Sequence, residues 1–133
     1  MADESEILQA LAESVVGGDK ETTARWAQTA VKAGLDPLRV FSESLIPAIR
    51  QVGDAFGRGD LYLPELVQAG EALKAAAAPL EEEAQRRGMK RDVLGTIVVG
   101  TVSGDLHDIG KSIVSAILNA NSFRVVDLGY DVP

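Results

Sequence analysis

Cysteine is absent from the chain and histidine occurs once, at His107. The first absence excludes disulfides, thiolate metal sites and cysteine nucleophiles together, and it points to a reducing compartment, with the cytoplasm as the default location. The second excludes a zinc centre held by protein alone, which takes three or four ligands drawn mostly from His and Cys. Basic charge is also scarce: 13 Lys and Arg stand against 20 Asp and Glu, a formal net charge of -7. Nucleic acid and anionic membrane surfaces both need a basic patch, so neither is an expected partner. No apolar run approaches the roughly 20 residues of a membrane span. The acidic start "MADESEILQA" lacks the basic opening and apolar core of a signal peptide. What is present, 46% hydrophobic and 25% charged residues in 133, is enough for a buried core in one ordinary domain, or in a small domain with part of another.

Two patterns divide the chain. From Glu6 to about Gly88 apolar residues recur at spacings of three and four. Ile7, Leu8, Leu11 and Val15 form one stripe; Trp26, Ala27, Ala30 and Val31 a second; Phe41, Leu45, Ile49, Val52 and Phe56 a third; Leu66, Ala69, Leu73, Ala76, Leu80 and Ala84 a fourth. Gly17-Gly18, Gly34, Pro37, Gly57, Gly59, Pro64 and Gly88 punctuate them, which predicts four amphipathic helices in a bundle over residues 1–88. Pro47 and Pro79 fall inside the third and fourth stripes, where they kink or divide a helix. Trp26 reads as a core residue.

Beyond the connector "RRGMKRD" the run "VLGTIVVGTV", Val93 to Val102, predicts a strand buried on both faces. A helix follows over about Asp108 to Asn121, with Ile109, Ile113, Val114 and Ile117 inward, and then a strand over Phe123 to Leu128. Strand, loop, helix and strand make one right-handed βαβ unit. Two parallel strands under one helix leave a face and both edges open, so residues 89–133 read as the opening part of a larger, truncated α/β domain.

The loop between the first strand and its helix, "SGDLHDIGKS", Ser103 to Ser112, stands where open α/β sheets bind ligands. Its Gly-Lys-Ser suggests a phosphate loop. That motif needs four residues between its glycines, whereas Gly104 and Gly110 enclose five, two of them the carboxylates Asp105 and Asp108. An incoming phosphate would be repelled, and no G-x-G-x-x-G fingerprint is present. A metal held in a macrocycle asks the protein for one axial ligand only, which His107 can supply. Asp105 can then hold the other ring nitrogen, and Gly110 lets a flat ring approach the backbone. The plainer assignments stay open: His107 as a solvated or capping residue, Asp105 as a turn residue, Asp108 as a helix N-cap, and Gly104 and Gly110 as turn glycines.

"GTVSGDLHDIGKSIV" resembles the cobalamin-binding signature D-x-H-x-x-G, here Asp105, His107 and Gly110. "VGDAFGRGDLYLPELVQAGEAL", Val52 to Leu73, is similar to the cap-domain motif that precedes it in methionine synthase and in the corrinoid proteins of the methanol and methylamine methyltransferase systems. The resemblance implies a four-helix cap (1–88) followed by the start of a Rossmann-like, flavodoxin-like cobalamin-binding domain (89–133). It implies a methyl carrier, not catalytic alone, that binds cobalamin or a related corrinoid base-off and shuttles a methyl group through Co(I) and methyl-Co(III). His107 would be the axial cobalt ligand and Asp105 its proton-linked partner. Gly104, Asp108, Ile109 and Gly110 complete the binding loop, and Phe56 and Leu63 match positions over the methyl ligand. From periodicity alone Phe56 is a core residue. The implied partners are a methyl-donor methyltransferase, a methyl-acceptor methyltransferase and a reductive activation protein. The later Ser-x-Leu and Gly-Gly elements that line the nucleotide tail's pocket would lie beyond Pro133, so the resemblance implies an incomplete pocket. A cobalamin-dependent sensor or regulator shares the same cap and domain order and is the alternative; the helical cap argues against a carbon-skeleton mutase.

Overall fold

A computed structural model of the chain describes residues 2–89, 94–106, 110–111, 114–115, 118 and 123–133. The chain divides into two compact units, Met1–Arg91 and Asp92–Pro133. Among the described residues no helix is long and apolar enough to cross a membrane.

The first unit is helical: α1 Glu4–Val16, α2 Lys20–Lys32, α3 Pro37–Val40, a π-helical turn Phe41–Leu45, α4 Ile46–Gly57 and α5 Leu63–Arg86. Aspartates start three of these helices by accepting orphan backbone N–H groups. Asp3 accepts from Glu6 N at 2.8 Å, Asp19 from Thr22 N at 3.0 Å and Asp36 from Leu38 N at 2.9 Å. At α5 the Glu65 carboxylate, in the first turn, takes the Tyr62 N–H at 3.2 Å. Gly18, at φ 68°, turns the chain between α1 and α2, where an added Cβ would lie 2.8 Å from Gln68 Cβ on α5.

Four helical rods form where the four stripes predict them, because α3, the π turn and α4 follow one another without a break and the third stripe runs through the last two. Pro47 explains the turn. Its ring crowds the carbonyl one turn back and it offers no N–H, and the Ile46 N–H reaches back five residues to Phe41 O. Pro79 sits inside α5 without dividing it. All six residues of the fourth stripe are buried, as are Ile7, Leu11 and Val15. Fully buried Ala27 and Ala30 of α2 and Ala69, Ala72 and Ala76 of α5 let these two helices pack closely, and theirs is the most extensive helix pairing. Trp26 and Val31 prove to be only half-buried; the inward stripe of α2 is Thr23, Ala27 and Ala30. The Thr23 hydroxyl donates to Asp19 O at 2.6 Å and lies 2.8 Å from Ser14 Oγ, so burial leaves neither hydroxyl unpaired. Ser44 Oγ donates to Leu8 O at 2.6 Å and ties the π turn to α1.

In the last turn of α5, Glu83 is nearly buried and accepts from Arg86 Nε at 2.9 Å and Arg87 Nε at 2.8 Å. The Arg86 hydrogen bonds, followed by those of Arg87, lower its pKa from 4.5 to about 2. A carboxylate with a depressed folded-state value stabilises the fold fully above its unfolded value and loses that contribution as pH falls through the folded one. Urea midpoints measured from pH 5 down to pH 2 should therefore fall with a steeper slope in the native chain than in Glu83→Gln. Equal slopes would show the triad to be without effect.

The second unit carries two parallel strands, β1 Gly95–Val99 and β2 Phe123–Asp127, in the register Gly95↔Phe123 to Val99↔Asp127, with a further bridge Val102↔Val132. Parallel pairing requires a crossover, and Gly110, Lys111, Val114, Ser115 and Leu118 within it are helical. Three expectations change here. Both strands are shorter than their apolar runs, and β1 is not buried on both faces: Thr96 and Val98 share an exposed face with Arg124 and Val126 of β2. Val114, expected inward, is 51% exposed, whereas Ser115 beside it is 3% exposed. Lys111 and Leu118 are half-buried. Ile109, Ile113 and Ile117 lie outside the described residues.

Candidate functional site

Because β1 and β2 are parallel, the loops leaving both emerge at the same end of the sheet, the end where such sheets bind ligands. The first loop runs through Gly100 and Thr101 to Leu106; the second is Leu128 to Val132. Backbone bonds sew them together. Leu128 N donates to Val99 O at 2.8 Å, Thr101 N to Gly129 O at 2.9 Å and Val132 N to Thr101 O at 2.8 Å. Gly100 lies under this seam, where an added Cβ would meet Val132 Cγ2 at 3.1 Å.

Within the first loop, Gly104 stands at φ 84° with open space around it, so its backbone angle rather than its packing asks for glycine. Asp105 N donates to Val102 O at 3.0 Å and closes the turn. Two further bonds join the turn to Asp131 of the second loop: Gly104 N donates to Asp131 Oδ1 at 2.7 Å, and Asp131 N to Asp105 O at 3.1 Å. Asp105 is half-buried. His107, Asp108 and Ile109 lie outside the described residues, and with them the expected hydrogen bond between Asp105 and His107.

Lys111 answers the question its Gly-Lys-Ser neighbourhood raises. Its ammonium lies 2.8 Å from Asp127 Oδ1 and donates to Gly129 O at 2.7 Å, with the side chain only 9% exposed. A phosphate-loop lysine projects into the ligand; this one is committed to the end of β2. Gly129 N in turn donates to Asp127 Oδ1 at 2.8 Å. Asp127, Asp131 and Ser115 are residues that sequence reasoning missed. Asp127 and Asp131 act on segments 16 to 27 positions away, and local spacing carries no trace of that. The one available sign was the aspartate-rich turn "DLGYDVP", where Asp tolerates a left-handed backbone.

The chemistry of the donor set suits a large ring with apolar edges. Val102, Leu106, Leu128 and Tyr130 are all more than half exposed on these loops, an unusual clustering for surface side chains. Space is open at Gly110, where an added Cβ meets nothing within 4 Å. The Ser115 hydroxyl is buried and has no hydrogen-bond partner among the described residues, an unmade bond that a polar ligand group can complete.

The other two expected residues belong to the helical unit. Phe56 closes α4 and is half-buried rather than core, and Leu63 is the first residue of α5 rather than a loop residue, also half-buried. The turn between them holds the Arg58–Asp60 ion pair at 2.9 Å and the exposed Tyr62. Gly104, Asp105 and Gly110 are thus gathered in one unit, and Phe56 and Leu63 in the other.

Comparison with known proteins adds a second line of observation. Residues 7–81 match the family described as the B12 binding domain. The chain is 41% identical over 132 residues to trimethylamine corrinoid protein 2 of Methanosarcina acetivorans, covering 99% of this chain and 61% of that one. It is 38% identical over 127 residues to a corrinoid protein of Desulfitobacterium hafniense, covering 95% of this chain and 59% of the relative. Its fold is similar to a chain of the methanol:cobalamin methyltransferase complex of Methanosarcina barkeri, with a TM-score of 0.80 and 31% identity over 98% of this chain and 50% of that one. The chain spans about three fifths of the length of these curated relatives.

Proposed function

We propose, from the premise that this chain belongs to the B12-binding-domain family, that it is a corrinoid methyl carrier of a methyltransferase system, with cobalamin or a related corrinoid as its cofactor. The observation that carries the reading is the likeness to corrinoid proteins, which runs through both units and spans 99% of the chain. The exposed apolar loop residues, the room at Gly110 and the unpartnered Ser115 hydroxyl fit such a ligand.

When bound, the corrinoid supplies a cobalt centre that accepts a methyl group and gives it up again. His107 would hold the metal through one ring nitrogen. Asp105 accepts the proton of the ring nitrogen turned away from the metal, fixing the tautomer and tuning the basicity of the ligand. Gly104, Asp108, Ile109 and Gly110 form the rest of that loop, and the absence of a side chain at Gly110 leaves room for the ring. Phe56 and Leu63 would serve to exclude water from the carried group. The chain carries the group and is not catalytic alone; a methyl-donor and a methyl-acceptor methyltransferase are its partners, and a reductive activation protein serves the same cycle.

The test is a titration of the apoprotein with hydroxocobalamin and with methylcobalamin, followed in the visible spectrum. A base-off, His-on spectrum at one corrinoid per chain is the expected result. A spectrum identical to that of the free cofactor throughout, in this chain and in a version extended to the full length of its relatives, would remove the carrier reading.

A further inference from the structure

We propose that Asp131, in the loop after β2, is a positioning residue for the segment that carries His107. The inference rests on the proposed role of His107 and adds to it the device that holds its loop in place.

Asp131 grips the preceding loop at two points. Its carboxylate accepts the Gly104 N–H at 2.7 Å across 27 residues of sequence, and its own N–H donates to Asp105 O at 3.1 Å. Bonds to an ionised acceptor are shorter and stronger than neutral ones. The grip requires an unfavourable backbone, because among the described residues Asp131 is the sole non-glycine with positive φ, at 54°. Such a conformation persists only where the surroundings hold it, and here the two bonds to Gly104 and Asp105 do so.

The other end of the segment is anchored to the same loop. Lys111 donates to Gly129 O at 2.7 Å and pairs with Asp127 Oδ1 at 2.8 Å. Asp105 and Lys111, which bracket His107 in the sequence, are therefore both tied to residues 127–131. A short segment with both ends fixed has few conformations left to lose, so a ligand that it carries binds metal with less ordering cost. Asp131 is the side chain whose loss frees the first anchor without touching the second.

Two substitutions separate the grip from the backbone strain. Asp131→Gly accepts φ 54° without cost and lacks the carboxylate; Asp131→Asn tolerates the same angle and keeps an acceptor oxygen. In the apoprotein, amide exchange of Gly104 followed by NMR should speed up by about tenfold or more in the glycine variant and by much less in the asparagine variant. In the hydroxocobalamin titration the glycine variant should bind about 10-fold to 100-fold more weakly, the scale of outer-shell changes, with part of the cofactor His-off, and asparagine should restore the His-on spectrum. A native His-on spectrum and native affinity in Asp131→Gly would overturn the inference alone, and so would an asparagine variant as impaired as the glycine one. Absence of binding by the unsubstituted chain extended to the full length of its relatives would instead strike down the carrier reading, and this inference with it.

Discussion

Replacing His107 by alanine is expected to abolish the His-on spectrum and to weaken corrinoid binding by more than about 100-fold, while the helical unit melts unchanged by far-UV circular dichroism. Substitutions of groups that merely orient a metal ligand typically cost 10-fold to 100-fold in affinity, and removing the ligand itself exceeds that. No other side chain in the sequence can take over, because His107 is the only imidazole and there is no thiolate. Water would occupy the vacated position, and added free imidazole should return part of the His-on spectrum. The helical unit is the internal control. Its core is drawn from Ile7, Leu11, Val15, Leu45, Val52, Leu66 and Leu80, all within Met1–Arg91, and a substitution at position 107 alters none of these contacts. A His-on spectrum that survives the substitution would return His107 to the status of an ordinary loop residue.

The helical half was legible because its periodicity is long and redundant. About five turns of the fourth stripe name six residues, and each of them is buried. The errors fall where one position on a helix competes with the next. Trp26 and Val31, both half-buried, sit beside a stripe that is in fact Thr23, Ala27 and Ala30, since small residues win where α2 meets α5. Val114 was read as inward and is 51% exposed, whereas Ser115 is buried, and the nearby Lys111 has its partner Asp127 on β2. A residue that far along the chain does not enter a local count. The apolar strand run was read as doubly buried, yet Val98 is 59% exposed, because hydropathy reports which faces can be covered and not which are covered. The binding loop divides in the same way. Its glycines and carboxylates stood out from spacing, whereas Asp131 acts through a backbone angle and a bond across 27 residues.

Lys111→Met is expected to destabilise the second unit by about 1–3 kcal/mol, the cost of removing one partner from a hydrogen-bonded charge pair with one end well buried. The substitution keeps the length and apolar stem of the side chain, so the loss isolates the ammonium contacts to Asp127 Oδ1 and Gly129 O. The partner carboxylate is 36% exposed and retains the Gly129 N–H at 2.8 Å, which keeps the effect below that of a pair sealed from water. Amide exchange in β1 and β2 gives the stability of this unit separately from that of the helices. A double-mutant cycle with Asp127→Asn then yields the coupling, expected at about 1–3 kcal/mol, whereas an exposed ion pair gives about 0.2–1 kcal/mol. The same variant decides between the two readings of Gly-Lys-Ser. If Lys111 were a phosphate ligand, inorganic phosphate or ATP would raise the melting temperature of the native chain and not that of Lys111→Met. With the ammonium already committed to β2, neither should move, and the cost of the substitution should be the same with or without the anion.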